Sequence, residues 1–447
     1  MIESMHQWIW GPGMLVLFLV TGVIYTGKTR GFAILGIRTW WSTTVGSMGR
    51  TKEDKKDSRV SSFQAACTAL AATIGTGNIA GVATAVMAGG PGAVFWMWVS
   101  AALGMSTAYA ETELGIRYRR KSREGSWISG AMVYLEHGIG CRWLAVIYAC
   151  LCLLASFGMG SMVQANAISE TMSFACSVPS VLTGALLTVL VWKILSGGVR
   201  VIAKTAETMV PLSAAVYLLA SGAVLVLFRD RIPGVLMAIV RDAFAFDSAA
   251  GGVLGVSVNK AMRFGIARGV FSNEAGLGSM AALNGGADQA DPSVQGQWAI
   301  FEVFFDTIVC CTLTALVILC AAGEELAGFQ ESGAALTGYC FSKALGYPGG
   351  YTVSVCVVLF AFATIIAWYY MGKQAAAYLG ETLGISIESL YFAGYLICVA
   401  LGCLGPMEKV WGISDVFNGM MAIPNLAALI LLVPQVDCPK KGMKKST

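Results

Sequence analysis

Apolar runs of membrane-crossing length recur along the whole chain, and no other feature limits its fold so strongly. About eleven are present, with approximate limits 11–27, 61–89, 91–116, 143–165, 178–196, 207–228, 261–283, 297–322, 348–372, 388–405 and 413–432. A run near twenty apolar residues crosses the hydrocarbon of a bilayer as a helix. Unpaired backbone groups cost several kcal/mol each there, so only helices and closed barrels cross. A barrel would alternate polar and apolar residues in segments of about ten, and these runs do not. With 56% hydrophobic and only 13% charged residues among 447, the chain is expected to be an all-α polytopic membrane protein. Its first run lacks a basic flank and a small-x-small cleavage site, so it reads as a retained helix rather than a signal peptide.

Lys and Arg orient these runs. Lys28, Arg30, Arg38, Arg50, Lys52, Lys55, Lys56 and Arg59 lie between the first two; Arg117, Arg119, Arg120, Lys121 and Arg123 follow the third. Two spans separate the clusters, so both face one side, and the positive-inside rule makes it the cytoplasm. The loop at 166–177 has no Lys or Arg, whereas the tail carries Lys440, Lys441, Lys444 and Lys445. The expected arrangement is an external N-terminus, a cytoplasmic C-terminus and residence in the cytoplasmic (inner) cell membrane. Only 229–260 runs against it, with Arg229, Arg231 and Arg241 offset by Asp230, Asp242 and Asp247.

Two runs are interrupted by glycine and small polar residues: "AATIGTGNIAG" at 71–81 and "GVFSNEAGLGS" at 269–279. With the first run set aside, ten remain, and each interruption falls in the opening helix of a set of five. Because five is odd, the two sets enter the membrane from opposite sides. Matched interruptions in an inverted repeat point to a midplane binding site. The expected organisation is 1–60 (N-terminal helix and basic loop), 61–228 (first repeat), 261–432 (second repeat) and 433–447 (basic tail).

Unwinding a span frees amides and carbonyls that a small zwitterion can pair. The N–H groups of Thr76, Gly77 and Asn78 would face a carboxylate, aided by the helix dipole. Carbonyls at Phe271 and Ser272 would accept from an ammonium or hold a cation, and Gly75 and Gly77 admit close backbone approach. The bland alternative is helix packing, since Gly77 to Gly81 is a GxxxG; two equivalent breaks, each with an asparagine (Asn78, Asn273), favour a site. Most of the thirteen cysteines sit in apolar runs, and only His6 and His137 are present. A histidine-ligated metal centre is therefore not expected. Neither the charged rings of a channel nor an intramembrane catalytic constellation is found.

The stretches "GTGNIAGVATAVMAGGPGAVFWMW", "ARGVFSNEAGLGS", "DTIVCCTLTALVIL", "FAFATIIAWYY" and "NGMMAIPNL" resemble the alanine or glycine:cation symporter family, in order from about Gln64 to Leu432. The motif around Asn273 and Glu274 is characteristic of that family. The resemblance implies a sodium-driven importer of alanine or glycine on a LeuT-type inverted-repeat core. The alternative is a proton-coupled transporter of another small amino acid or organic molecule. The expected partners are a small neutral amino acid and the lipid bilayer, with no nucleic acid and no obligate protein partner. The continuation "MAALNGG" departs from the family pattern and bears on the inner gate.

The resemblance also implies that the helix of Thr364 and Trp368 gives a hydroxyl to the sodium site and an indole wall to the pocket. Carbonyls near Ala71, Ile74 and Ala361 with the Thr364 hydroxyl would complete the ligand set; the plain role for Thr364 is a bond back to its own helix. Gln164 is a candidate either for the substrate's polar groups or for an interhelical hydrogen bond, and Asn166 lies beside it. Intramembrane carboxylates are functional candidates: Glu274 in the second break, and Glu302 and Asp306, four residues apart. These are expected to brace half-helix N–H groups, to pair with Arg263 or Arg268, or to take protons, with bracing preferred. Glu111 and Glu113, near the basic loop, are expected to be solvated.

Overall fold

The computed structural model describes residues 2–48, 60–122, 125–244, 254–289, 291–329, 333–405 and 408–439. Arg50, Lys52, Lys55, Lys56, Arg59, Arg123, Asp247 and the four tail lysines used for orientation lie outside the described residues.

Each apolar run is helical. The first is α1 (Pro12–Lys28); the second divides into α2 (Ser62–Thr73) and α3 (Val82–Gly89); the third is α4 (Gly92–Tyr118). Next come α5 (Arg142–Phe157) and α6 (Val163–Cys176), joined through a π turn at Gly158–Met162, then α7 (Ser180–Ser196) and α8 (Gly198–Leu227). In the second half, α9 (Leu254–Asn273) and α10 (Ser279–Asn284) flank the other break. A π segment at Phe304–Cys311 joins α11 (Pro292–Val303) to α12 (Thr312–Ala322). The helices α13 (Tyr347–Leu383), α14 (Glu388–Gly402) and α15 (Glu408–Leu432) complete it. Among the described residues seven helices are long and apolar enough to cross a membrane, or eight if α2 and α3 form one bent span. Both α7 and α14 are apolar but shorter. Eleven is thus a tally of helical runs, not of full-length spans.

The two breaks differ in kind. A capping box opens α2: the Ser61 hydroxyl accepts the Gln64 N–H, and Gln64 Oε1 accepts the Ser61 N–H, both at 3.1 Å. The helix ends where Ile74 turns to ψ 92°. After Gly75 and Thr76 a π turn at Gly77–Gly81 leads into α3, bent 48° from α2. In the second break Glu274, Gly276 and Gly278 all take positive φ (56°, 97° and 84°), so no helix can pass through them. A Cβ on Gly276 would sit 2.7 Å from the Phe18 ring, and one on Gly278 would sit 2.6 Å from the Tyr148 hydroxyl oxygen. Glu274 holds a left-handed backbone without that freedom, a strained state that persists only where its surroundings enforce it. Gly75, Gly77 and Pro91 recur as Gly276, Gly278 and Pro292 at one constant offset.

The helix outside the repeats, α1, packs on α4 and on α15, where the Tyr25 hydroxyl donates to the Leu429 carbonyl at 2.7 Å. The anomalous basic loop also finds an account. Arg231 donates to the Cys320 carbonyl at 2.8 Å, near the C-terminus of α12, and Asp242 accepts the Gly92 N–H at 2.7 Å, at the start of α4. Both charges sit at the helix ends that favour them. Here these residues serve as helix caps.

Candidate functional site

Both breaks wall one small cavity of about 20 Å³, room for about one water. The first break contributes Gly75, Thr76 and Gly77; the second contributes Phe271, Ser272 and Glu274. Gln164, Thr364 and Trp368 close it, with Met159 and Asn418, which sequence reasoning missed. Larger hollows of about 620 and 500 Å³ lie at opposite ends of the first broken helix. The former reaches Thr76, and the latter is lined by Val60, Lys121, Arg200 and Lys373.

Eight of the ten expected substrate residues therefore line the cavity. Asn78 and Asn273 do not; they stand behind it as braces. Asn78 Oδ1 accepts the Gly75 N–H at 2.9 Å, while its Nδ2 donates to Asp306 Oδ1 at 2.6 Å and to the Asp306 carbonyl at 3.2 Å. Its own N–H is spent on the Gly75 carbonyl, which leaves Thr76 and Gly77 as the free-amide candidates. Asn273 Oδ1 accepts the Ala275 N–H at 3.1 Å and Nδ2 donates to Thr307 at 3.1 Å. A short polar side chain that pairs with local backbone is what allows a helix to stop at these points.

The Thr364 hydroxyl lies 2.9 Å from the Ala71 carbonyl and 2.9 Å from the Phe360 carbonyl. Its contact within α13 is thus with Phe360, one residue before the expected Ala361, and both expected roles of Thr364 meet in one hydroxyl. A Cβ on Gly75 would come within 2.9 Å of that hydroxyl. Ala71, Ile74, Gly75 and Thr364 therefore cluster where α2 ends. Sodium, a hard cation that takes oxygen ligands, suits carbonyls released by an unwound helix.

Gln164 bridges rather than points outward: its Oε1 accepts the Thr76 hydroxyl at 3.3 Å and its Nε2 donates to the Met159 carbonyl at 3.2 Å. Asn166 donates instead to the carbonyl of Gly405, in the bend after α14, at 3.0 Å. Trp368 is buried against the π turn so closely that a Cβ on Gly160 would fall onto its side chain. Gly160→Ala is accordingly expected to displace the indole and to reduce transport per folded molecule about tenfold or more, an overpacking cost of about 1–3 kcal/mol. Initial uptake rates normalised to folded protein check this.

The carboxylates required correction. Neither Glu302 nor Asp306 pairs with Arg263 or Arg268 among the described residues; Arg268 lies over the Phe271 ring at 5.5 Å. Glu302 accepts from Asn284 at 2.9 Å, at the far end of α10. Asp306 lies within the π segment and accepts from Asn78, Ser272 and Thr307. Four-residue spacing turns both side chains inward, but to different elements. Glu111 and Glu113 are buried, not solvated. Glu111 Oε1 accepts the Gly278 N–H at 3.1 Å and Asn425 Nδ2 at 2.5 Å, so it braces the second break. Asn425 also donates to the Gly276 carbonyl at 2.9 Å and accepts from Tyr134. Glu113 pairs with Arg117 at 2.5 Å. Two buried acceptors of cavity-lining residues, Glu274 Oε2 and Asn418 Oδ1, have no hydrogen-bond partner among the described residues.

Towards the basic end the site is closed more thickly. Arg119 donates to the Gly285 and Gln289 carbonyls at 2.9 and 2.8 Å and to that of Ala287. Gln374 ties the Ser129 N–H to the Ala282 carbonyl at 2.8 and 2.5 Å.

Comparison with known proteins identifies the family and the fold of the chain. A family model described as the sodium:alanine symporter family matches residues 1–442. An uncharacterized transporter of Haemophilus influenzae is 41% identical over 434 residues, 96% of this chain and 92% of that protein. The sodium/alanine symporter AgcS of Methanococcus maripaludis is 38% identical over 438 residues, 97% of this chain and 94% of that protein. Among solved structures, MhsT in complex with L-phenylalanine superposes with a TM-score of 0.60 at 15% identity, covering 82% of this chain and 89% of its own. That likeness shows a shared LeuT-type fold.

Proposed function

The chain belongs to the sodium:alanine symporter family, and on that premise we propose that it imports a small neutral amino acid, alanine or glycine, together with sodium. It is a multi-pass membrane protein and a transporter rather than an enzyme. The observation that carries the reading is a small cavity walled by residues of both breaks. Thr76 and Gly77 amides at the start of the outer half-helix would receive the carboxylate. The unpartnered oxygens of Glu274 and Asn418 would receive the ammonium, which supplies the donors they lack. Sodium would lie among Ala71, Ile74 and Thr364. At about 20 Å³ the cavity has room for about one water, so a zwitterion would enter only after its walls move apart.

Transport then follows alternating access. The Thr76–Gln164 bond is a thin barrier to the 620 Å³ hollow, whereas the Arg119 clasp bars the basic end. The end bearing Lys121, Arg200 and Lys373 would face the cytoplasm by the positive-inside rule. Alanine uptake into proteoliposomes tests this: replacing sodium by choline is expected to abolish uptake, and uptake that persists on a pH gradient alone would make it a proton carrier instead. Thr364→Ala is expected to weaken apparent sodium affinity about tenfold, the lower range for losing a group that supports a metal. A sodium titration of uptake measures it.

A further inference from the structure

We propose that the short helix Ile2–Ile9, which belongs to neither repeat, is a proton-sensitive latch on the outer end of the transporter. His6 pins it to α15 through Asp415, and Trp10, just past its end, holds Phe271 in place. The proposal rests on the transport reading above and on the orientation given there.

The segment is packed down at two points. His6 Nε2 lies 2.8 Å from Asp415 Oδ2. Ile9 and Trp10 are buried against α15, where a Cβ on Gly419 would fall onto Ile9 and come within 3.3 Å of the Trp10 ring. Trp10 stacks on Phe18 of α1 at 6.3 Å and meets Phe271 edge-on at 6.5 Å. Phe271 is itself a wall of the small cavity. Met5 and Trp8 are exposed, as suits a helix that rests in the membrane interface.

Asp415 depends on that one contact. Its side chain is 5% exposed, its Oδ1 is buried without a partner, and its Oδ2 has only His6 among the described residues. A buried carboxylate that loses the charge opposite it is left uncompensated. The His6 side chain is 36% exposed, so protons reach it from solvent. Histidine in ordinary surroundings changes charge between about pH 5 and 8. The other charges that face it are Arg263 and Arg268 of α9, which share a hollow of about 40 Å³ with His6 and Asp415, and Glu170 of α6, across the 620 Å³ hollow. Among the described residues none of these three pairs with His6 or Asp415. With a charged imidazole the latch is an ion pair; with a neutral one it is a single hydrogen bond.

Both contacts bear on the outer route. His6 and Asp415 line the hollow that reaches Thr76, and Trp10 backs Phe271. The segment therefore ties α15 to a wall of the cavity, and opening that end has to part Asp415 from His6 or Phe271 from Trp10. A charged His6 favours the closed end. A smaller share of molecules is then open to external substrate, and apparent affinity falls by that share.

Full-length protein in right-side-out membrane vesicles tests this, with sodium and internal pH held constant. The readouts are the KM and maximal rate for external alanine between about pH 5.5 and 8. In the wild type the KM is expected to rise about three- to fivefold on acidification, the weight of a partly exposed ion pair, with the maximal rate little changed. His6→Gln is expected to hold the alkaline KM at every pH, and His6→Lys the acidic one. Trp10→Ala, which keeps the ion pair and cuts the link to Phe271, is expected to lose the response. A wild-type KM indifferent to external pH, a response retained in any of the three variants, an alkaline KM in His6→Lys, or a response to internal pH alone would each overturn the latch. Absence of alanine uptake at every pH would instead remove the transport reading itself, a separate outcome.

Discussion

Asn78→Ala is expected to lower alanine transport per folded molecule by on the order of 100-fold. The substitution leaves two buried groups without a partner: the Gly75 N–H, now 2.9 Å from Asn78 Oδ1, and Asp306 Oδ1, now 2.6 Å from Asn78 Nδ2. Each orphaned buried group costs about 1–3 kcal/mol, so together about 2–6 kcal/mol acts on the geometry of the first break. Part of that will lower stability, which is why the rate must be divided by the folded amount from size-exclusion chromatography. Asn78→Asp should fare worse, because it sets a second carboxylate against Asp306. Equal transport by the wild type and Asn78→Ala would remove Asn78 as a brace.

The second large effect concerns a residue that its neighbours in the chain disguise. Glu111→Ala is expected to reduce transport by a similar order, whereas Glu111→Gln should stay within about threefold of the wild type. The reason is asymmetric occupancy of the carboxylate. Oε1 accepts both the Gly278 N–H and a hydrogen from Asn425 Nδ2, while Oε2 has no partner among the described residues. Glutamine keeps the accepting oxygen and replaces only the idle one; alanine strands the Gly278 amide and Asn425. If glutamine and alanine prove equally damaging, the charge of Glu111, and not its acceptor geometry, is what the second break requires. Uptake with normalisation to folded protein separates these outcomes.

Several features were legible from residues alone. Gly75, Gly77, Gly276 and Gly278 announced the breaks, because glycine is the residue that leaves a membrane helix or takes a positive φ at least cost. Thr364 and Trp368, four residues apart, did share a face towards the cavity. Asn78 and Asn273 lie in the two breaks, as expected, but do not line the cavity. Each amide oxygen accepts from local backbone and each amide nitrogen donates to the π segment, and the sequence carries no sign of which way a side-chain amide points. The expected Glu111 solvation failed for a related reason. Proximity to Arg117 and Arg119 in sequence implied water, yet the partners that bury Glu111 lie 167 and 314 residues away.

The chain's linear order determined that it is a bundle of membrane helices in two matched halves, each with its first helix interrupted. Hydrocarbon imposes that result locally: length, apolarity and glycine content act residue by residue, so they can be read without knowing neighbours. Only the tertiary structure decided which polar groups meet. The joining of Asp306 to Asn78, of Glu111 to the second break, and of Thr364 to the end of α2 depends on how the helices rotate and cross. Those angles come from packing summed over many side chains, and no single stretch of sequence contains them.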